Sequence, residues 1–75
     1  MNKQNRKDLE RIADRLDELA DELENLAEGE TEKYDNLPEG LQMSEQGERL
    51  EQNADEINEQ SSAVRDVKDC LIDLL

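Results

Sequence analysis

Carboxylates are the most abundant reactive groups in this chain, and they occur in pairs at helical spacing. The 75 residues include 22 Asp and Glu, nine Lys and Arg, and no histidine. Two carboxylates one helical turn apart, such as Asp17 and Asp21 or Glu24 and Glu28, could act as general acid and base if an apolar pocket raised the pKa of one of them. Nothing in the sequence predicts such a pocket. We therefore expect a protein that is not an enzyme.

Redox and metal chemistry are also disfavoured by the residues present. The single cysteine, Cys70, has aspartates on the adjacent helical turns, and their negative charge opposes formation of a thiolate. The acidic segment that begins at Asp35 has Leu37 and Gln46 where the third and twelfth residues of an EF-hand loop would supply ligands. We expect no cofactor, no metal ion and no internal disulfide. One free cysteine and no apolar leader segment favour a cytoplasmic location.

The net charge of −13 is unevenly distributed along the chain. Residues 1–15 have a net charge of +2, residues 16–59 a net charge of −14, and residues 60–75 a net charge of −1. Such a field repels phosphate, so direct binding to nucleic acid is not expected. No apolar run is long enough to span a membrane, and an acidic helix face does not suit anionic lipid. The charge instead favours a partner protein with a basic surface.

Three tandem heptads, residues 9–15, 16–22 and 23–29, predict the first helix. Each has leucine at its first position, leucine or isoleucine at its fourth and alanine at its fifth, and the rest is polar apart from the closing glycine. Apolar residues that alternate at spacings of three and four form the seam of an amphipathic helix. The pattern predicts helix 1 over about residues 3–34.

A second heptad pattern predicts a returning helix. Ser44 is a suitable N-cap for helix 2 over about residues 44–73. Pro38 and Gly40 predict a turn over about residues 35–43, because proline disfavours helix at the residue before it. The fold class is thus all-α, a single antiparallel helical-hairpin domain. In this arrangement we expect Leu9 opposite Leu71, Leu16 opposite Val64, Leu23 opposite Ile57, Leu19 opposite Ser61, and Tyr34 beside Gly47.

Two helices alone cover each seam leucine on one side only. A second hairpin would cover the other side, so we expect a homodimeric four-helix bundle with two-fold symmetry. A marginal monomer that becomes ordered on meeting a partner is the alternative. The expected core and oligomer residues are Leu9, Ile12, Leu16, Leu19, Leu23, Leu26, Leu50, Ile57, Val64 and Leu71.

The acidic side chains admit two interpretations. In the first, they are simply solvated, which keeps a small protein soluble. Alternatively, carboxylates one helical turn apart stand ~6 Å from each other, similar to phosphates along a DNA strand, and so could occupy a basic groove. The apolar residues of the turn either close the bundle end or anchor an interface. The candidate partner-binding residues are Asp17, Asp21, Glu24, Glu28, Tyr34, Leu37, Leu41, Glu48, Glu51 and Asp55.

The turn segment supplies a resemblance. Its sequence, Tyr-Asp-Asn-Leu-Pro-Glu-Gly-Leu-Gln at residues 34–42, is followed by an acidic helix. Over about residues 34–59 it resembles small acidic helical proteins of unassigned function from Gram-positive bacteria and their phages. The resemblance implies a phage-type protein in a host cytoplasm, where sequestering a host protein is a common mode of action. The specific hypothesis is an acidic inhibitor, or DNA mimic, that occupies a basic nucleic-acid-binding groove of a host or defence protein. The alternative is a structural or assembly module that forms a small helical bundle in a phage or bacterial complex.

Overall fold

Two long helices and one short helix make up the chain. A computed structural model describes all of residues 1–75 and contains α1 (Lys3–Asp35), α2 (Glu39–Gln42) and α3 (Glu45–Ile72). α1 and α3 pack against each other as an antiparallel hairpin, and α2 is a single turn at the bend. The molecule is a rod of 59 × 14 × 11 Å. The all-α helical hairpin is therefore confirmed.

Side-chain caps set the start of both long helices. The Asn2 side chain accepts a hydrogen bond from the Asn5 backbone N–H at 2.7 Å at the start of α1. Ser44 caps α3 as expected, since its Oγ accepts from the Gly47 N–H at 3.4 Å. Helix α1 continues through Gly29 without a break, because a glycine with negative φ costs a helix only ~1 kcal/mol relative to alanine.

The bend is more ordered than a simple turn. Backbone N–H groups of Leu41 and Gln42 donate to the carbonyl oxygen of Pro38 at 2.8 and 3.1 Å, which forms α2. The Gln42 side chain donates to the carbonyl oxygen of Tyr34 at 3.1 Å and so ties α2 to the end of α1. Gly47 is buried, but the space beside it is filled by the backbone of Gln42 rather than reserved for the ring of Tyr34.

The helices meet along small residues. Ala20 of α1 is completely buried, and the Ser61 hydroxyl donates to its carbonyl oxygen at 3.0 Å. Ala20, and not Leu19, therefore lies opposite Ser61, because residues that end at Cβ or Oγ let two helix backbones approach more closely than leucine does. The buried residues are Ala13, Ala20 and Ala27 on α1 and Gly47, Ala54 and Ser61 on α3.

The larger apolar residues divide into two groups around this seam. Those at the first heptad position are half-buried beside the small residues: Leu9, Leu16, Leu23, Leu50, Ile57, Val64 and Leu71. Those at the fourth position of α1 face solvent, with exposed fractions of 42% for Ile12, 47% for Leu19 and 56% for Leu26. The seam within the chain thus uses the first and fifth heptad positions and leaves the fourth uncovered.

Candidate functional site: an acidic face

One long side of the rod collects the predicted acidic residues from both helices. They occupy the second and sixth heptad positions, which an antiparallel arrangement brings to the same side. The contacts of Arg65 on α3 with Asp17 and Asp21 on α1 confirm this shared side. We call it the acidic face; it comprises Asp17, Asp21, Glu24, Glu28 and Asp35 on α1 and Glu48, Glu51 and Asp55 on α3. All seven acidic residues proposed from the sequence as partner-binding residues lie on it.

Arg65 binds three of these carboxylates across the helix interface. Its guanidinium nitrogens lie 3.2 Å from Asp17 Oδ1, 2.7 Å from Asp21 Oδ1 and 3.0 Å from Glu24 Oε1. Lys68 adds a contact of 2.9 Å between its Nζ and Asp17 Oδ2. Hydrogen bonds to Asp21 and then Glu24 raise the pKa of the Arg65 guanidinium, and the hydrogen bond to Asp17 raises the pKa of Lys68. These three acids therefore hold α1 to α3 as well as facing solvent.

The other end of the acidic face has no compensating cations. Glu28, Glu48, Glu51 and Asp55 take part in none of the ion pairs of the structure. All four are exposed. Negative charge is thus concentrated on the half of the face nearest the bend, where a cationic group would meet carboxylates that form no ion pair within the chain.

A shallow cleft lies on this half of the acidic face. Its volume is about 240 Å³, and it is lined by Thr31, Tyr34, Asp35, Glu51, Ala54 and Asp55. Tyr34 is half-buried there. Partial burial first, then the negative charge of Glu51 and a hydrogen bond to its carboxylate, and last the charge of Asp35 raise the pKa of the Tyr34 phenol above its ordinary value. An aromatic ring beside three carboxylates suits a lysine or arginine side chain. No group of three or more side chains is arranged to hold a metal ion.

Tyr34 provides a spectroscopic test of this cleft, because it is the only aromatic residue of the chain. We expect its alkaline titration, followed by phenolate absorbance, to have a midpoint above about 10, the ordinary value for tyrosine. Because the folded-state pKa is raised, the associated stability is present below that ordinary value and is lost as pH rises through the raised pKa. Glu51→Gln should lower the midpoint without restoring the ordinary value, since the partial burial remains.

The control for this titration is Glu48→Gln, which removes the same charge from the same face. Glu48 is not among the groups that raise the pKa of Tyr34. Its substitution should therefore leave the midpoint nearly unchanged. A wild-type midpoint at the ordinary value, or equal shifts in the two variants, would contradict the proposed environment of Tyr34.

The apolar candidates at the bend differ in exposure. Leu37 is half-buried, whereas Leu41 is 45% exposed and the neighbouring Met43 is 86% exposed. Leu37 therefore covers the end of the hairpin in part, as one of the two interpretations expects. Leu41 and Met43 are available to another molecule.

The side of the rod opposite the acidic face carries a row of apolar residues on α1. It presents the fourth heptad position of each helix, which holds Ile12, Leu19 and Leu26 on α1, whereas on α3 it holds Gln46, Asn53 and Gln60 before Val67, which is 51% exposed. We call Ile12, Leu19, Leu26 and Val67 the apolar stripe. Arg15 and Glu22 flank the stripe on α1, and neither has an ion-pair partner within the chain. The two long sides of the rod therefore differ sharply in chemistry.

Comparison of the chain with protein-family models, with curated proteins and with solved structures found no match. Neither long helix contains a stretch that is apolar enough to cross a membrane.

Proposed function

We propose that this protein is a non-enzymatic binder that places its acidic face in a basic, nucleic-acid-binding groove of another protein. The observation that supports this function is the placement of eight carboxylates on one side of a straight two-helix rod, with a group of them unpaired near the bend. Acids also lie elsewhere on the rod, for example at Glu18, Glu32 and Glu59, so rows of carboxylates on two adjacent helices, and not the number of acids, support this function. The phage-type resemblance of residues 34–59 favours an inhibitor of a host or defence protein.

The geometry of the face supports mimicry of nucleic acid. Carboxylates three or four residues apart, from Asp17 to Glu28 on α1 and from Glu48 to Asp55 on α3, stand ~6 Å from each other. The row on α3 lies beside the end of the α1 row that is nearest the bend, because Arg65 lies opposite the other end. Arg65 and Lys68 fix one part of these rows, so fewer side chains must be ordered when a partner binds. The unpaired acids near the bend would attract a basic partner and speed the encounter in a salt-dependent way.

The proposal includes a homodimer. Three large apolar side chains in one row on α1 are exposed on the single chain, with Val67 of α3 exposed on the same side, and an exposed apolar surface of this kind marks an interaction site. A second copy that covers the apolar stripe would complete a four-helix bundle and leave the acidic faces outside. Light scattering coupled to size-exclusion chromatography should give twice the chain mass of 8.6 kDa, and a fully helical species of the single-chain mass would remove the dimer.

Charge reversal tests the acidic face directly. Reversing Asp17, Asp21 and Glu24 is unsuitable, because lysines there would face Arg65 and disturb the hairpin. The better variant is Glu28→Lys with Glu48→Lys and Asp55→Lys, which changes only unpaired acids. The matched control is Glu18→Lys with Glu32→Lys and Glu59→Lys, which changes the net charge equally at the exposed outer edges of the helices.

The assay uses the immobilised chain and a bacterial lysate fraction enriched for DNA-binding proteins. We expect capture of a DNA-binding protein that is released by competing duplex DNA and by about 0.5 M salt, where exposed charges are screened. The face variant should lose at least roughly tenfold of this capture, equivalent to about 1.4 kcal/mol, while the control variant retains it. No capture from this fraction, or equal behaviour of the two variants, would overturn the proposal.

A structural or assembly module is the second candidate, and the exposure of Leu41 and Met43 at the bend favours it. Such a module would dock through apolar contacts at the end of the rod. Its binding would therefore persist at high salt and would be lost in Leu41→Ser with Met43→Ser. The salt dependence of capture thus separates the two candidates.

A further inference from the structure

We infer that two copies of this chain associate through the apolar stripe in antiparallel orientation, with Leu19 of one copy on Leu19 of the other. This inference rests on the dimer that forms part of the proposed function and adds its direction and register. Three features of the structure support it: the position of the exposed leucines, the unequal charge of the two ends, and the two unpaired charges beside the stripe.

The exposed apolar residues of α1 are spaced symmetrically on either side of Leu19. Ile12, Leu19 and Leu26 follow one another at intervals of seven residues, about 10.5 Å along a helix. A two-fold axis through Leu19 and perpendicular to the rod would place Ile12 of each copy against Leu26 of the other. All three exposed large apolar side chains of α1 would then be covered.

Net charge selects the antiparallel direction. A dimer with both bends at the same end would bring together two segments of residues 16–59, each with a net charge of −14. In the antiparallel dimer, residues 1–15, with a net charge of +2, lie toward the acidic half of the other copy. Like charges at close range cost free energy and opposite charges gain it, so the antiparallel arrangement is favoured.

Arg15 and Glu22 select the register. They lie on the same edge of the stripe at nearly equal distances from Leu19, and neither is paired within the chain. With the axis at Leu19, Arg15 of one copy lies opposite Glu22 of the other, twice per dimer. A slip of one heptad in one direction places Arg15 opposite Arg15, and a slip in the other direction places Glu22 opposite Glu22. Either slip also leaves one apolar residue of α1 uncovered.

The resulting dimer would present two binding surfaces. The apolar stripe is buried between the copies, so the acidic faces point in opposite directions. The unpaired acids, Glu28, Glu48, Glu51 and Asp55, lie toward the bend of each copy, and the two bends are at opposite ends of the dimer. One dimer would therefore bind two molecules of a basic partner.

Disulfide trapping tests the register. In a Cys70→Ser background, Leu19→Cys should give a covalent dimer under mild oxidation, because a disulfide requires Cα atoms within about 7 Å of each other. Ile12→Cys alone should not, since the two copies of residue 12 would lie roughly 20 Å apart along the rod. A mixture of Ile12→Cys and Leu26→Cys chains should form the mixed covalent dimer. The control is Asn25→Cys, exposed on the outer edge of α1.

A charge exchange provides the second measurement. Arg15→Glu places two glutamates together twice per dimer and should raise the dissociation constant of the dimer by roughly tenfold, as expected for two lost ion pairs. Adding Glu22→Arg should restore the wild-type value, because the exchanged charges again lie opposite each other. A folding defect alone would not be rescued by the second substitution.

The outcomes separate this inference from the proposed function. A dimer by light scattering in which Leu19→Cys crosslinks no faster than Asn25→Cys would overturn the antiparallel register and leave the dimer itself standing. A monomer would overturn both the register and the dimer. Partner capture and its loss in the acidic-face variant are measured independently, so failure of that capture removes the proposed function without changing the crosslinking result.

Discussion

Replacing Ala20 by leucine is expected to destabilise the hairpin strongly. Ala20 is completely buried, and its carbonyl oxygen accepts the hydrogen bond from Ser61. Three additional carbon atoms at this point must push α1 and α3 apart, because both sides of the contact are helix backbone. Overpacking of this kind costs about 1–3 kcal/mol. In a domain of this size, that corresponds to a melting temperature lower by roughly 5–20 °C.

Thermal unfolding followed by circular dichroism measures this change. The control is Asn25→Leu, which introduces the same side chain at an exposed position of the same helix. It should alter the melting temperature by only a few degrees, since a surface substitution usually changes stability by less than about 0.5 kcal/mol. If both variants melt at the wild-type temperature, the close contact of α1 and α3 at Ala20 is incorrect.

This expectation depends on a feature that the sequence pattern only partly revealed. The heptads predicted both long helices and the N-cap at Ser44, because helix periodicity and capping are local properties of the chain. The choice of seam is not local. Hydrophobicity ranks leucine above alanine, which favoured Leu19 at the helix contact, whereas the structure gains closer backbone approach by placing Ala20 there. Leu19 is then exposed and forms part of a second surface, the apolar stripe.

The acidic face likewise combines features set by local sequence with contacts between residues that are distant in the chain. Its membership could be predicted, because Asp17, Asp21, Glu24 and Glu28 fall on one side of a regular helix. The role of Arg65 could not be predicted, because its partners lie more than forty residues away in the chain and its contacts with them depend on the register of the hairpin. The sequence nonetheless held a signal for these ion pairs between the helices, since Arg65 and Lys68 are the only basic residues among the last sixteen.

Gly47→Ala is expected to disrupt the bend, although alanine is the better helix former. A Cβ atom at residue 47 would lie 2.6 Å from the carbonyl carbon of Gln42 and 2.8 Å from its Cα, closer than real contacts allow. The obstacle is backbone, so α2 must move away from the start of α3. That movement breaks the hydrogen bond from the Gln42 side chain to Tyr34. Overpacking typically costs about 1–3 kcal/mol, and we expect the upper end here because the obstacle is backbone, so the cost exceeds the ~1 kcal/mol gained in helix propensity.

Two other glycines provide matched controls for this substitution. A Cβ atom at Gly29 or Gly40 would meet no atom within 4 Å, and neither residue has a positive φ. Gly29→Ala should therefore stabilise the chain by up to ~1 kcal/mol, with a smaller gain at Gly40 in the short helix. Thermal melts of the three variants should thus differ in sign, with only Gly47→Ala below wild type. Stabilisation by Gly47→Ala to the same extent as Gly29→Ala would mean that α2 does not pack on α3, because only that contact distinguishes the two positions.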